Sequence, residues 1–118
     1  MITKILIGLV AVLHIYFLIL EMFLWDKPTG LRVFGNTLES AKNSKVLAMN
    51  QGLYNGFLAA GLFWGLYLGN VGEPITIFFL SCIVIAGIFG GLTASRKIFF
   101  VQALPAAITL ILDVFSEL

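Results

Sequence analysis

Charge is what this chain has least of. Its 118 residues include seven Lys or Arg, six Asp or Glu and a single His, 11% charged against 60% hydrophobic. A soluble domain carries about 25% charged residues. A chain this poor in charge has too few polar groups to cover a water-facing surface, so lipid is its expected solvent. The formal net charge of +1 gives no nucleic-acid signal and no Lys/Arg stripe is present, so no nucleic-acid partner is expected. At this length one domain is expected, covering residues 1–118.

Other scarcities narrow the chemistry. Cys82 is the only cysteine, so no internal disulfide can form. It lies in an apolar run and reads as a small buried or lipid-facing residue. His14 is the only histidine, which rules out a multi-His metal site within one chain. No nucleotide-binding loop, nucleophile elbow, paired-His metal motif or haem-attachment motif is present. No metal and no cofactor is expected, and no catalytic residue can be assigned.

What the chain does have is long apolar runs. Four are long enough to cross about 30 Å of hydrocarbon at 1.5 Å per residue: residues 5–25, 46–68, 75–92 and 98–115. The last is the least clean, with Gln102, Pro105 and Asp113 inside it. Backbone groups must be satisfied within each run, so these predict helices, and the fold class is an all-α integral membrane four-helix bundle. The first run is longer than a secretory signal core and lacks a small-x-small cleavage site, so it predicts a retained helix. Residues 26–45 form the one long polar loop, with Pro28, Gly30 and Gly35 as turn markers. Within it, residues 37–45 can form a short surface helix anchored by Leu38 and Ala41. Residues 69–74 and 93–97 predict tight turns, and Pro74 suits the first turn of the third helix.

The few positive charges set an orientation. Lys27, Arg32, Lys42 and Lys45 lie in the first loop and Arg96 and Lys97 in the third, whereas the opposite side has only Lys4. Lys and Arg are retained on the cytoplasmic side. The first and third loops are therefore expected in the cytoplasm and both termini outside, in a multi-pass protein of a bacterial cytoplasmic (inner) membrane.

With that orientation the polar residues fall at similar depths. Glu21 lies about 6 Å from the inner end of the first helix and His14 about 16 Å from it. They are seven residues apart, close to two turns, and so share a face. A charged group at such depth costs roughly 2.5–3.5 kcal/mol on insertion scales unless the protein receives it. Asn50, Gln51, Tyr54 and Asn55 form one stripe near the inner end of the second helix. Gln102 enters from the same side, and Thr93, Ser95 and Arg96 approach from the third loop. His14, Glu21, Asn50, Gln51, Tyr54, Asn55, Gln102 and Arg96 are thus the candidate ligand-binding residues. Taken singly, the amides are ordinary interhelical hydrogen-bonding groups; their shared depth is the argument for one cavity. Asp113 reads as a residue of the outer end, facing external water beside Ser116 and Glu117. Trp25 and Tyr67 fit interfacial aromatic positions.

Gly52–Gly56, Gly61–Gly65–Gly69 and Gly87–Gly91 have four-residue spacing. Small residues so placed let helix backbones approach closely. They predict tight packing of the second and third helices, within a subunit or in a homo-oligomer through Gly52, Gly56, Gly61, Gly65, Gly87 and Gly91. Pro105 is expected to bend the fourth helix and free a carbonyl near residue 101.

Three stretches carry a resemblance. They are the run from His14 to Trp25 (HIYFLILEMFLW), that from Asn50 to Phe57 (NQGLYNGF), and that from Ser95 to Pro105 (SRKIFFVQALP). Together they resemble the bacterial family of small four-helix membrane proteins catalogued as domain of unknown function 1304. The resemblance runs over nearly the whole chain and implies four helices. It implies no activity or substrate, but its three blocks hold the polar cluster.

Three functions compete at this point. One is a site that binds or converts a small apolar or lipid-like ligand, with Glu21 and His14 as acid/base candidates and the amides orienting the ligand. The second is a proton-coupled exporter, against which stand the fixed orientation and the long first loop. The third is a non-catalytic membrane partner or assembly protein that docks through residues 26–45.

Overall fold

The structure, a computed structural model, describes residues 1–116, and among these every regular element is helical. The first helix, α1 (Ile2–Phe23), is an apolar run without an internal proline. Pro28 bars Lys27 from helical geometry: a residue before proline is disfavoured in the α region, and Lys27 is extended at φ −97°, ψ 162°. Pro28 then opens α2 (Pro28–Phe34), which closes on Gly35 in the left-handed conformation (φ 68°) that glycine adopts without strain. Thr37 caps α3 (Leu38–Asn43), its hydroxyl accepting from the Ser40 N–H at 3.1 Å. The long polar loop is therefore two short helices.

The second long helix, α4 (Lys45–Tyr67), stops before Gly69, whose φ of 67° reverses the chain. A 3₁₀ turn (Gly69–Gly72) leads into α5 (Glu73–Thr93), with Pro74 in its first turn. Ser95 caps α6 (Arg96–Ile98), which continues through a π turn (Phe99–Ala103) into α7 (Leu104–Ser116). Pro105 is the second residue of α7, one residue beyond the π turn. Proline has no N–H for the carbonyl four residues earlier, and widening to a π turn, where the Leu104 N–H reaches the Phe99 carbonyl, takes up the mismatch.

Among the described residues, three helical stretches are long and apolar enough to cross a membrane: Ile2–Phe23, Gly69–Thr93 and Arg96–Ser116. Only 33%, 22% and 22% of their most apolar windows are buried by the protein, so most of this apolar surface needs an apolar solvent. The expected run 46–68 is present as α4, 23 residues long, but Asn50, Gln51 and Asn55 make it less apolar than the other three.

Packing gathers into two units, one of Val12–Ala59 and one of Met1–Ala11 with the chain from Ala60 onward. In the first unit, Gly52 faces Leu18, Glu21 and Met22, and Gly56 faces Leu18, so α1 and α4 run antiparallel in close contact. The α2–α3 segment is tied to the same pair. The Trp25 indole N–H donates to the Ser44 hydroxyl at 3.1 Å, its ring packs on Phe34 at 4.7 Å, and Lys45 pairs with Asp26 at 3.2 Å.

In the second unit, Gly61 faces Phe79, and Gly65 faces Gly72 and Thr76, which sets the end of α4 antiparallel to the start of α5. Gly87 lies against the backbone of Ala103 and Gly91 against Phe99, which sets α5 antiparallel to the π turn and α7. Leu62, Leu80, Ile83, Ala103 and Ala106 are buried here. Gly52, Gly56, Gly61, Gly65, Gly87 and Gly91 each lie against other parts of the same chain, whereas Gly69 faces open space.

Candidate functional site

The site is built on a face of small residues. Ala48, Gly52, Asn55 and Ala59 are the buried positions of this half of α4, at spacings of four, three and four, with Gly56 half-buried beside them. In a helix these fall on one side. Glycine at 52 and 56 removes the side chains that would hold α1 away. A methyl group at 52 would come within 2.6 Å of Met22 Cγ and 3.1 Å of Glu21 Cβ. That approach brings Asn55 within reach of Glu21, and the Asn55 amide donates a hydrogen bond to Glu21 Oε1. Both are buried, at 6% and 8% exposure.

The bond uses one carboxyl oxygen. Glu21 Oε2 takes no hydrogen bond among the described residues. The site therefore presents an oriented carboxyl with one oxygen held and the other without a hydrogen bond among the described residues, in an apolar helix. A carboxyl so placed can accept a hydrogen bond, pair with a cation or exchange a proton. His14, seven residues earlier on α1, is fully buried and meets Phe17 edge-on at 5.2 Å between ring centroids.

The other candidates lie elsewhere. Asn50 is exposed and returns its amide to the Val46 carbonyl of its own helix at 2.9 Å. Gln51 is exposed, and Tyr54 is exposed with its ring on Phe57. The stripe foreseen on α4 is thus divided, with Asn55 on the buried face and Asn50, Gln51 and Tyr54 on the outer one. Gln102 is half-buried on the π turn, and Arg96 is exposed in the first turn of α6; both belong to the other packing unit.

Sequence reasoning placed Asp113 in external water. The structure corrects this: Asp113 is 3% exposed, on the same face of α7 as the buried Ala106 and Thr109. Burial on α7 follows small or short residues at 106, 109 and 113, a helical spacing readable in the sequence. Its expected neighbour Glu117 lies outside the described residues. Around the first loop, Lys45 is the charge with a defined partner. The hydrogen bond it donates holds the Asp26 carboxyl below its ordinary range, helped by the charges of Lys45 and Lys27.

Residues 8–114 match the family described as Protein of unknown function (DUF1304), and the chain belongs to that family. It is 34% identical over 115 residues to an uncharacterized protein YpaA of Lactococcus lactis subsp. lactis (strain IL1403), covering 96% of this chain and 97% of that relative. No solved structure matches it.

Proposed function

We propose that this member of the family is an integral protein of the bacterial cytoplasmic membrane that binds a small apolar or lipid-like ligand with a polar head at the Glu21–Asn55 pair. The observation that carries the reading is the half-held carboxyl. Glu21 sits in an apolar helix, with one oxygen fixed by Asn55 and the other taking no hydrogen bond among the described residues. A purely structural pair needs no open acceptor at this depth. Ligand sites combine apolar surroundings with a few placed polar groups, and the pair supplies such groups within an apolar helix. His14 and Glu21 are the titratable groups of the α1 face and would serve as acid and base were the ligand converted.

In this reading the chain crosses four times, and the positive charges of the first and third loops put both termini outside. If α1 crosses, α4 returns beside it, because the two are packed antiparallel through Gly52 and Gly56. At 23 residues α4 is about 34 Å long, enough to span. Its polarity is partly offset internally, with Asn55 on Glu21 and Asn50 on the Val46 carbonyl. The α2–α3 segment, carrying Lys27, Arg32, Lys42 and Lys45, then lies in the cytoplasm.

The test is native mass spectrometry of the protein in mild detergent, wild type beside Glu21→Gln. Glutamine keeps an acceptor for Asn55 and removes the ionisable group. A discrete adduct in wild type that is lost in Glu21→Gln supports the reading and gives the ligand's mass. No difference in bound mass between the two refutes a ligand on Glu21. A stoichiometric partner protein present in both would move the function to docking through α2–α3.

A further inference from the structure

A second polar site lies in the unit formed by Met1–Ala11 and the chain from Ala60 onward. A cavity of about 310 Å³ opens where the first turns of α1, the α4–α5 turn and the last turns of α7 meet. Its floor follows from glycine. Gly65 and Gly72 are in backbone contact, and a side chain at either would collide with the other strand of the turn or with Thr76. The lining is polar and divided by depth. Asp113, Thr76 and Thr3 are buried, at 3%, 3% and 8% exposure. Glu73 is half-buried in the first turn of α5, and Lys4 is exposed at the rim.

Asp113 carries the argument. Its Oδ2 atom is buried and takes no hydrogen bond among the described residues. The Ser116 hydroxyl, which also lines the cavity, donates to the Asp113 main-chain carbonyl, and the Thr109 hydroxyl donates to the Pro105 carbonyl, so neither serves the carboxyl. A buried acceptor left without a donor is costly, and a charged one more so. A ligand that donates N–H and carries positive charge would remove that cost.

We propose that this cavity holds the head group of an aminophospholipid, with its primary ammonium donating to the Asp113 carboxylate and its phosphate near Lys4. The polarity of the lining matches that head group end for end, with acid buried and base at the rim. The position fits as well. The cavity lies at the ends of α1, α5 and α7, all in stretches long and apolar enough to cross a membrane, which is where lipid head groups reside. Its volume is at the low end of the range for ligand sites, about 300–1,000 Å³. That suits a head group whose acyl chains stay in the bilayer. This site uses none of the residues of the Glu21–Asn55 pair and stands without it.

The experiment places the full chain in nanodiscs containing equal amounts of phosphatidylethanolamine and phosphatidylcholine with identical acyl chains, then reads retained lipid by native mass spectrometry. The two head groups carry the same charges, but only ethanolamine has N–H donors. Wild type is expected to retain phosphatidylethanolamine over phosphatidylcholine by about tenfold, the loss of one hydrogen bond to a charged group. Asp113→Asn should abolish the preference, and Lys4→Gln should lower retention of both lipids. Equal retention of the two lipids by wild type overturns the proposal without recourse to any variant. So does an undiminished preference in Asp113→Asn. Binding of soluble phosphoethanolamine without retention of phosphatidylethanolamine would overturn the lipid assignment.

Discussion

Removing the Asn55 amide should expose how much the Glu21 carboxyl depends on it. In Asn55→Ala the carboxyl keeps its burial and loses its only hydrogen-bond donor among the described residues. Leaving a buried acceptor unsatisfied costs about 1–3 kcal/mol. Part of that cost comes from Asn55 packing and is unrelated to Glu21, so a double-mutant cycle is required. Between membrane helices such cycles average about 0.6 kcal/mol and reach about 1.7. This pair is buried, and glycines at 52 and 56 hold the two helices close, so the coupling should lie in the upper half of that range. The assay is reversible unfolding in mixed detergent micelles for wild type, Glu21→Ala, Asn55→Ala and the double variant. Glu21→Gln belongs in the same series. It keeps an oxygen for the Asn55 amide and should remain near wild-type stability even where ligand is lost. A coupling of zero within error, with both single variants folded, would refute the reasoning. The helices would then be held by glycine packing alone, and the carboxyl would owe its position to nothing on α4.

Glycine substitutions should rank by what the new methyl meets. Gly87→Ala faces the Ala103 backbone and should cost about 1–3 kcal/mol, whereas Gly56→Ala faces only the movable end of Leu18 and should cost less, both read in the same unfolding assay. The Asp26–Lys45 pair should give a small pH dependence. Because the folded-state pKa of Asp26 is depressed, its contribution is present above the unfolded value of about 3.9 and is lost as pH falls through the lower folded value. The thermal midpoint of wild type should therefore drop more between pH 6 and pH 3 than that of Lys45→Met; identical drops would remove the pair from consideration. Topology can be read by single-cysteine labelling on a Cys82→Ala background. Ser40→Cys and Ser95→Cys should react only from the cytoplasmic side and Asn70→Cys only from outside, and labelling of Asn70→Cys and Ser95→Cys from the same side would exclude a crossing by α5.

What the sequence made legible divides by physical cause. Helix existence was readable because an apolar run in lipid leaves the backbone no alternative, and the places where the chain turns, at Pro28, Gly35, Gly69 and Pro74, were readable because each has a backbone reason. That Glu21 needs a partner was readable because a carboxyl in an apolar helix has to be received, and Asn55 receives it. The face of α4 was harder. Asn50, Gln51, Tyr54 and Asn55 make a plausible polar stripe, and in water polarity would help decide which side is exposed. Between helices in an apolar solvent the buried side is set by size, because close approach rewards small residues. The stripe that packs is therefore Ala48, Gly52, Asn55, Gly56 and Ala59, and Asn55 is buried because it shares that face, while Asn50 turns outward and satisfies itself on its own helix.

The same rule would have found Asp113. Ala106, Thr109 and Asp113 form the small face of α7, so the aspartate is carried inward by its neighbours although it lies near a helix end. The two polar centres have a common origin in this respect. In each, a short or small residue pattern sets the buried face of a helix, and a carboxyl or amide placed on that face is held away from solvent. Asn55 meets a partner there, and Asp113 Oδ2 does not among the described residues. In Glu21 and Asn55 the packing has produced a completed bond with one oxygen to spare. In Asp113 it has left an acceptor, Oδ2, without a donor among the described residues. Moving the small face would move the burial. In Thr109→Leu, with Asp113 unchanged, the packing of α7 should be forced apart, Asp113 should gain exposure to a water-soluble carboxyl-modifying carbodiimide, and the preference for phosphatidylethanolamine should fall with it. Carbodiimide labelling as low as in wild type would show that the small face does not control the burial of Asp113.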